Sequence, residues 1–176
     1  MRIKIFILLC LTAIMQFIGV TPLKASHYYY KQLSLKDGLT SAVRCILTDK
    51  QGFVWIGTKA GVSRYDGHEL KKYVHSPNNP HSIPNNLIHQ IAEDEMSNIW
   101  ILTDKGIARY QRQSDDFFLP TDEKGNPIIA YSTCLTKDGV LFGSKDKVYF
   151  YSYRDSSLRL LQKLNKGSNF NISLLS

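Results

Sequence analysis

Residues 49–65 read Asp-Lys-Gln-Gly-Phe-Val-Trp-Ile-Gly-Thr-Lys-Ala-Gly-Val-Ser-Arg-Tyr, and residues 94–110 read Asp-Glu-Met-Ser-Asn-Ile-Trp-Ile-Leu-Thr-Asp-Lys-Gly-Ile-Ala-Arg-Tyr. Asp49 and Asp94, Trp55 and Trp100, Thr58 and Thr103, Gly61 and Gly106, Arg64 and Arg109, and Tyr65 and Tyr110 are each 45 positions apart. Val43 and Ile88, and Ile46 and Ile91, keep the same offset. A fixed period of this length marks a repeat architecture, in which each unit buries its apolar faces against its neighbours.

The unit reads as four short antiparallel strands. Val43 to Thr48 is rich in β-branched residues and forms a first strand. Asp49-Lys50-Gln51-Gly52 is a turn, because Asp bonds its own backbone and Gly accepts positive φ. Phe53 to Thr58 has the near-continuous apolar pattern of a strand covered on both faces. Lys59-Ala60-Gly61 turns the chain into a third strand, Val62 to Tyr65. Asp66-Gly67 is a hairpin signal, and Leu70 to Val74 is the fourth strand. Four strands, tight turns and one Trp per ~40–50 residues describe a propeller blade.

A third, degraded unit follows. Thr136 to Ser144 echoes Thr48 to Thr58, with Leu141 in the place of Trp. Gly143 follows Gly57 by 86 positions, so this unit is about four residues shorter. Lys147 to Tyr151 stands in for Gly61 to Tyr65, and a fourth unit is expected to begin near Asn169 to Leu175. The expected fold class is all-β: a partial β-propeller with its ring not closed. Repeats fall at about 38–82, 83–127 and 128–165, with the start of a fourth at 166–176.

The first 25 residues read as targeting rather than fold. Arg2 and Lys4 precede an apolar run from Ile5 to Val20, and Ala25 is a small residue suited to cleavage before Ser26. This is the pattern of a signal peptide, and residues 26–176 would be the exported propeller segment. The leader carries three cations, so its removal lowers the net charge from +7 to about +4. The remaining lysines are scattered and form no nucleic-acid footprint.

Cys45 and Cys134 remain after processing, in the first strands of the first and third units. Two buried thiols on non-adjacent blades do not meet disulfide geometry, so both are expected free. His27, His68, His75, His81 and His89 show no metal-ligand spacing. His27 to Leu33 reads as an outer strand able to close a ring.

No nucleophile elbow, phosphate loop or Ser/His/Asp spacing is present, so no catalytic, cofactor or metal residue is assigned. Asp115-Asp116 reads as a solvated turn before Phe117-Phe118. Trp55 and Trp100 occupy the same place in each unit, which argues for inter-blade core rather than sugar platforms. The polar loops at 76–82 and 121–127 are the sensible places for ligand contacts.

The repeated core, Asp-x-x-Gly-x-Val/Ile-Trp-Ile-Gly-Thr-x-x-Gly-Val/Ile-x-x-Tyr, closely resembles the two-component regulator propeller repeat. The leader, Tyr28 to Ser34, Asp37-Gly38-Leu39-Thr40 and Pro77 to Ile83 are similar to the start of hybrid two-component sensors of Bacteroides-type bacteria. The resemblance covers about residues 1–151 and departs in the third unit, which lacks Trp and the Gly equivalent to Gly61. Ser97 stands for the turn glycine at 52, and Leu102 for Gly57.

The resemblance implies a periplasmic, non-enzymatic sensor of oligosaccharides released from glycans. It also implies a homodimeric full-length protein that signals through a membrane helix to a kinase. A ring of this kind needs about seven units, or ~300 residues. The expectation is therefore an N-terminal sensor fragment or truncated product, completed by the missing blades and signalling domains. The alternative is a secreted propeller that binds or interacts without signalling.

Overall fold

The computed structural model describes residues 42–163, all within the unit Leu33–Ser176. The leader at 1–25, the strand expected at 27–33 and the start of a fourth unit at 166–176 lie outside the described residues. Among the described residues there are twelve strands and no helix. They form three four-stranded antiparallel sheets, and these three do not close a ring.

The first blade contains β1 (Val43–Thr48), β2 (Val54–Thr58), β3 (Gly61–Tyr65) and β4 (Leu70–Tyr73), hydrogen-bonded in chain order. The second contains β5 (Ile88–Glu93), β6 (Ile99–Thr103), β7 (Gly106–Gln111) and β8 (Asp116–Phe118). The third contains β9 (Ser132–Leu135), β10 (Gly139–Gly143), β11 (Lys147–Ser152) and β12 (Leu158–Lys163). The all-β partial propeller read from the repeat is the architecture found.

Turn chemistry explains the local hairpins. Asp49 Oδ1 accepts the backbone N–H groups of Gln51 at 3.0 Å and Phe53 at 2.9 Å. Gly52 then sits at φ 88° and donates its N–H to the Asp49 carbonyl. The second blade repeats this turn with Ser97 at φ 60°, so a non-glycine residue holds the left-handed position. At the next turn Gly61 has φ 113°, and a Cβ there would lie 2.4 Å from the Tyr73 carbonyl oxygen. That position admits only glycine without a backbone shift.

The third blade is shortened at its first turn. Val140 pairs with Leu135, as Val54 pairs with Thr48, which places Thr136 where Asp49 and Asp94 stand. Thr136 thus matches Asp49 by register, one position on from the Thr48 that the sequence echo suggests. Thr136 Oγ1 donates to the Gly139 carbonyl and accepts the Gly139 N–H, holding a turn one residue tighter.

Two apolar cores lie between the sheets. Trp55, Val62 and Tyr73 of the first blade pack with Ile91, Ile101, Tyr110 and Phe117 of the second. Trp100, Leu102 and Ile107 of the second pack with Val140, Phe142 and Tyr151 of the third. At both described junctions the earlier blade therefore presents its Trp face and the later blade the face that carries Tyr110 or Tyr151. Both tryptophans are inter-blade core, as their repeated position argued.

Candidate ligand-binding surface

The elements that hold the surface loops in place are repeated polar clasps. Trp55 Nε1 donates to Asp49 Oδ2 at 3.0 Å, and Trp100 Nε1 donates to Asp94 Oδ2 at 2.8 Å. A fully buried indole must satisfy its N–H, and the turn carboxylate does so in both blades. Burial pushes the Asp49 carboxyl up, but hydrogen bonds from Trp55 and Arg112 outweigh it and leave it below the ordinary range.

The second clasp joins neighbouring blades. Arg64 pairs across the hairpin with Trp55, and Arg109 with Trp100, so each guanidinium shares a face with its indole. Arg64 donates to the Tyr110 hydroxyl of the next blade, and Arg109 donates to the Tyr151 hydroxyl at 2.5 Å. Each indole also meets that tyrosine edge-on at 4.8 Å and 65°. The repeat thus encodes the blade-to-blade rotation through one Trp/Arg pair and the Tyr that follows it.

Asp115 departs from the solvated turn expected of it. It adopts φ 56° and turns its carboxylate back into the first interface. Tyr110 and Tyr73 donate to Asp115 Oδ1 at 2.5 Å and 2.6 Å, and Lys71 donates to Oδ2. Arg64 completes the group at 3.4 Å. Burial raises the Asp115 carboxyl, but the donors outweigh it and hold it at about 2. Burial and the Asp115 hydrogen bond both push the Tyr73 and Tyr110 hydroxyls up. The site is a structural clasp in which every polar group faces another. Asp116 begins β8 and accepts from Gln111 and Ser114.

Cys45 and Cys134 sit in β1 and β9 and are both free. They are half-buried rather than buried, and burial still raises the Cys45 thiol. His89, on β5, lies 3.2 Å from Asp104 and edge-on to Tyr131 at 5.5 Å. Among the described residues no group of three His, Cys, Asp or Glu side chains is placed to hold a metal ion.

The two loops named from sequence differ. Loop 76–82 is closed on itself: the single Ser82 hydroxyl proton is shared between the Ser76 and Asn79 carbonyls, at 3.0 Å and 2.8 Å, and Asn79 Oδ1 accepts the His81 N–H. It ends in Ile83, which is fully buried. Its Ser82 and Asn79 side chains are occupied by its own backbone, and the His81 ring faces Asp116 at 3.8 Å. Loop 121–127 carries a second copy of the Asp turn, with Asp122 Oδ1 accepting the Lys124 and Asn126 N–H groups. It borders a groove of about 300 Å³, whose other wall is the outer part of β11 and β12.

A wider, shallower groove of about 580 Å³ opens at the opposite ends of the strands, around Ser97, Gln111 and Arg112. Both of its arginines are already engaged, Arg109 by the Tyr151 hydroxyl. Arg112 donates to Gln51 Oε1 at 2.8 Å, Asp49 Oδ2 at 3.1 Å and the Ser97 carbonyl at 3.3 Å. Lys50 reaches across the same junction, with its backbone N–H donating to Glu93 Oε2 at 2.9 Å. These contacts fasten the first turns of the first two blades to each other.

Comparison with known proteins agrees with this architecture. Residues 37–60 match the family model described as the two component regulator propeller. Histidine kinase P4 of Formosa agariphila is 39% identical over 59 residues, which cover 33% of this chain and 4% of that protein. Two crystal structures from B. thetaiotaomicron are similar in fold. One is described as the extracellular domain of a one component system, with a TM-score of 0.54, 24% identity, and coverage of 69% of this chain and 16% of that one. The other is described as the extracellular domain of a hybrid two component system, with a TM-score of 0.57, 24% identity, and coverage of 79% and 17%. The chain therefore spans less than a fifth of the length of these relatives.

Proposed function

We propose, from the premise that the first repeat is a two-component regulator propeller unit, that this chain is the N-terminal periplasmic ligand-sensing segment of a hybrid two-component sensor. The observation that carries the proposal is the family match at 37–60 on a chain whose structure then builds three successive blades. In this reading the exported part is residues 26–176, completed by further blades and by kinase and DNA-binding parts encoded elsewhere in a longer protein. The ligand class is oligosaccharide released from complex glycans, the response is polysaccharide utilisation, and the segment itself performs no catalysis.

The physical case for a sensing role is the division of labour in the blades. Repeated residues are consumed by inter-blade packing, which leaves the non-repeated loops as the variable surface. Loop 121–127 has exposed side chains beside a groove, whereas the Trp, Arg and Tyr side chains of the repeat are occupied.

The test is a thermal melt of the exported chain against a panel of plant and microbial oligosaccharides. One structural class is expected to raise Tm saturably, because a ligand that binds only the folded state stabilises it by mass action. A cooperatively folding chain whose Tm no saccharide moves would overturn the sensing role.

A further inference from the structure

We propose that the groove beside loop 121–127 is a binding site for a sugar-sized anion, one whose ring carries a carboxylate or sulfate group. The inference rests on the sensing role proposed above and specifies the charge of what is sensed. Its volume of about 300 Å³ lies at the small end of ligand cavities and suits a compact ligand.

Two features of the lining point to charge. Lys124, Lys147 and Lys163 all line the groove, arriving from a loop, the start of β11 and the end of β12. Among the described residues none of the three ammonium groups is held by a hydrogen bond or salt bridge. Three cations converging from different elements raise the local concentration of anions and offer charge-assisted hydrogen bonds. Lys71 shows the contrast: it also lies at a blade junction, but Asp115 engages it.

The groove also has an apolar wall. Tyr149 pairs with Leu160, and Tyr151 with Leu158, which puts Leu158 and Leu160 on the same sheet face as the two tyrosines. Leu160 is 40% exposed, so this face is only partly covered. A sugar ring has apolar C–H faces and polar edges, and an apolar wall beside cationic donors matches that combination.

The acidic residues of the lining reduce the positive charge without cancelling it, since three lysines face two carboxylates, Asp122 and Glu123. The Asp122 oxygens are turned to their own loop, accepting the Lys124 and Asn126 N–H groups and the Asn126 side-chain amide, while the Asp122 charge also acts on Lys124. Glu123 stands on the exposed loop tip. Its charge opposes an anionic ligand, so its removal has a predicted sign.

The test uses isothermal titration of the full chain with three probes: digalacturonate, its uncharged methyl ester, and a sulfated galactose disaccharide. An acidic probe is expected to bind at least tenfold more tightly than the ester, and more weakly at high salt. Which acidic probe binds distinguishes a carboxylate site from a sulfate site. The double change Lys124→Gln with Lys147→Gln should weaken that probe at least tenfold without lowering Tm, since Lys124 is exposed and the half-buried Lys147 sits opposite another cation, Lys163. Glu123→Gln should tighten it a few-fold. Equal binding of acid and ester, failure of both acidic probes to bind, or indifference to the lysine changes would each overturn the proposal. A neutral saccharide that binds with the lysine changes without effect removes this inference and leaves the sensing role standing. A folded chain that binds no saccharide of either kind removes both.

Discussion

The junction between the first and second blades and the junction between the second and third share one geometry and differ in charge. In both, the indole meets the next tyrosine at 4.8 Å and 65°, and the arginine beside it donates to that hydroxyl. At the first junction the tyrosine passes its own proton donor to Asp115, which also gathers Lys71 and Tyr73. At the second junction the place of Asp115 is taken by Ser156, 41 positions later, as Tyr151 lies 41 after Tyr110. Ser156 keeps the left-handed backbone, at φ 51° against 56°, but no carboxylate. The repeat therefore fixes how blades stack, while a non-repeated residue decides how strongly charge fastens one stack.

The largest effect should come from the part the junctions share. Trp55→Ala and Trp100→Ala each remove a fully buried ring and leave a turn carboxylate short of a donor, at a cost of about 3–5 kcal/mol in urea denaturation. Leu141→Ala, at the same repeat position in the third blade, should cost no more than about 1.5 kcal/mol because Leu141 is only half-buried. A Leu141 cost equal to that of the tryptophans would break the view that the indole is the keystone of each junction.

The junctions are separated by Asp115→Asn, which keeps side-chain shape and tolerance of positive φ but deletes the charge. A loss of about 2 kcal/mol is expected, since the carboxylate accepts charge-assisted bonds from a part-buried site. Ser156→Ala should change stability by no more than about 0.5 kcal/mol. Matching small effects at both sites would show that the first junction gains nothing from its charge.

That difference explains which features were legible in the sequence. The strands and both tryptophans were legible because the 45-residue offset repeats turn residues and core residues together. The indole–carboxylate bond also has a signal in the sequence. Asp49 and Trp55 recur as Asp94 and Trp100, and the third blade loses both at once, with Thr136 and Leu141 in their places. Asp115 gave no such signal. It has no counterpart carboxylate in the third blade, and Lys71 and Tyr73 lie more than 40 residues away in sequence. Locally it is an acid before two phenylalanines, which reads as a turn, and only the stacking of blades brings its donors to it. The groove at 121–127 was legible as a loop, but the cations from β11 and β12 that complete it were not, because their convergence depends on register.

Acid should weaken the first junction selectively. The Asp115 carboxyl is held at about 2 in the folded chain, below an ordinary unfolded carboxylate near ~3.9. A lowered folded-state value contributes stability that is complete above the unfolded value and is lost as pH falls through the folded one. The loss therefore falls between about pH 4 and pH 2. After allowance for solvent screening it amounts to about 1 kcal/mol. Melts of the parent and of Asp115→Asn across this range should converge as pH falls. Parallel curves would mean that other carboxylates account for the whole acid effect.

The smallest effect is also the most discriminating, because it attempts to build the missing charge. Ser156→Asp places a carboxylate at the repeat position of Asp115, on a backbone already in the left-handed region that Asp tolerates. Tyr151 and Arg109 are the counterparts of Tyr110 and Arg64, so two of the four donors are present at the second junction. The other two are missing: Phe118 pairs with Arg109 as Lys71 pairs with Arg64, and it supplies no cation. A gain of about 0.5 kcal/mol is expected, well below the loss at Asp115→Asn. A gain as large as that loss would mean the Arg–Tyr clasp alone is sufficient. A loss of stability would mean that Lys71 and Tyr73 are what make a carboxylate tolerable at a blade junction, and that the two junctions are not interchangeable.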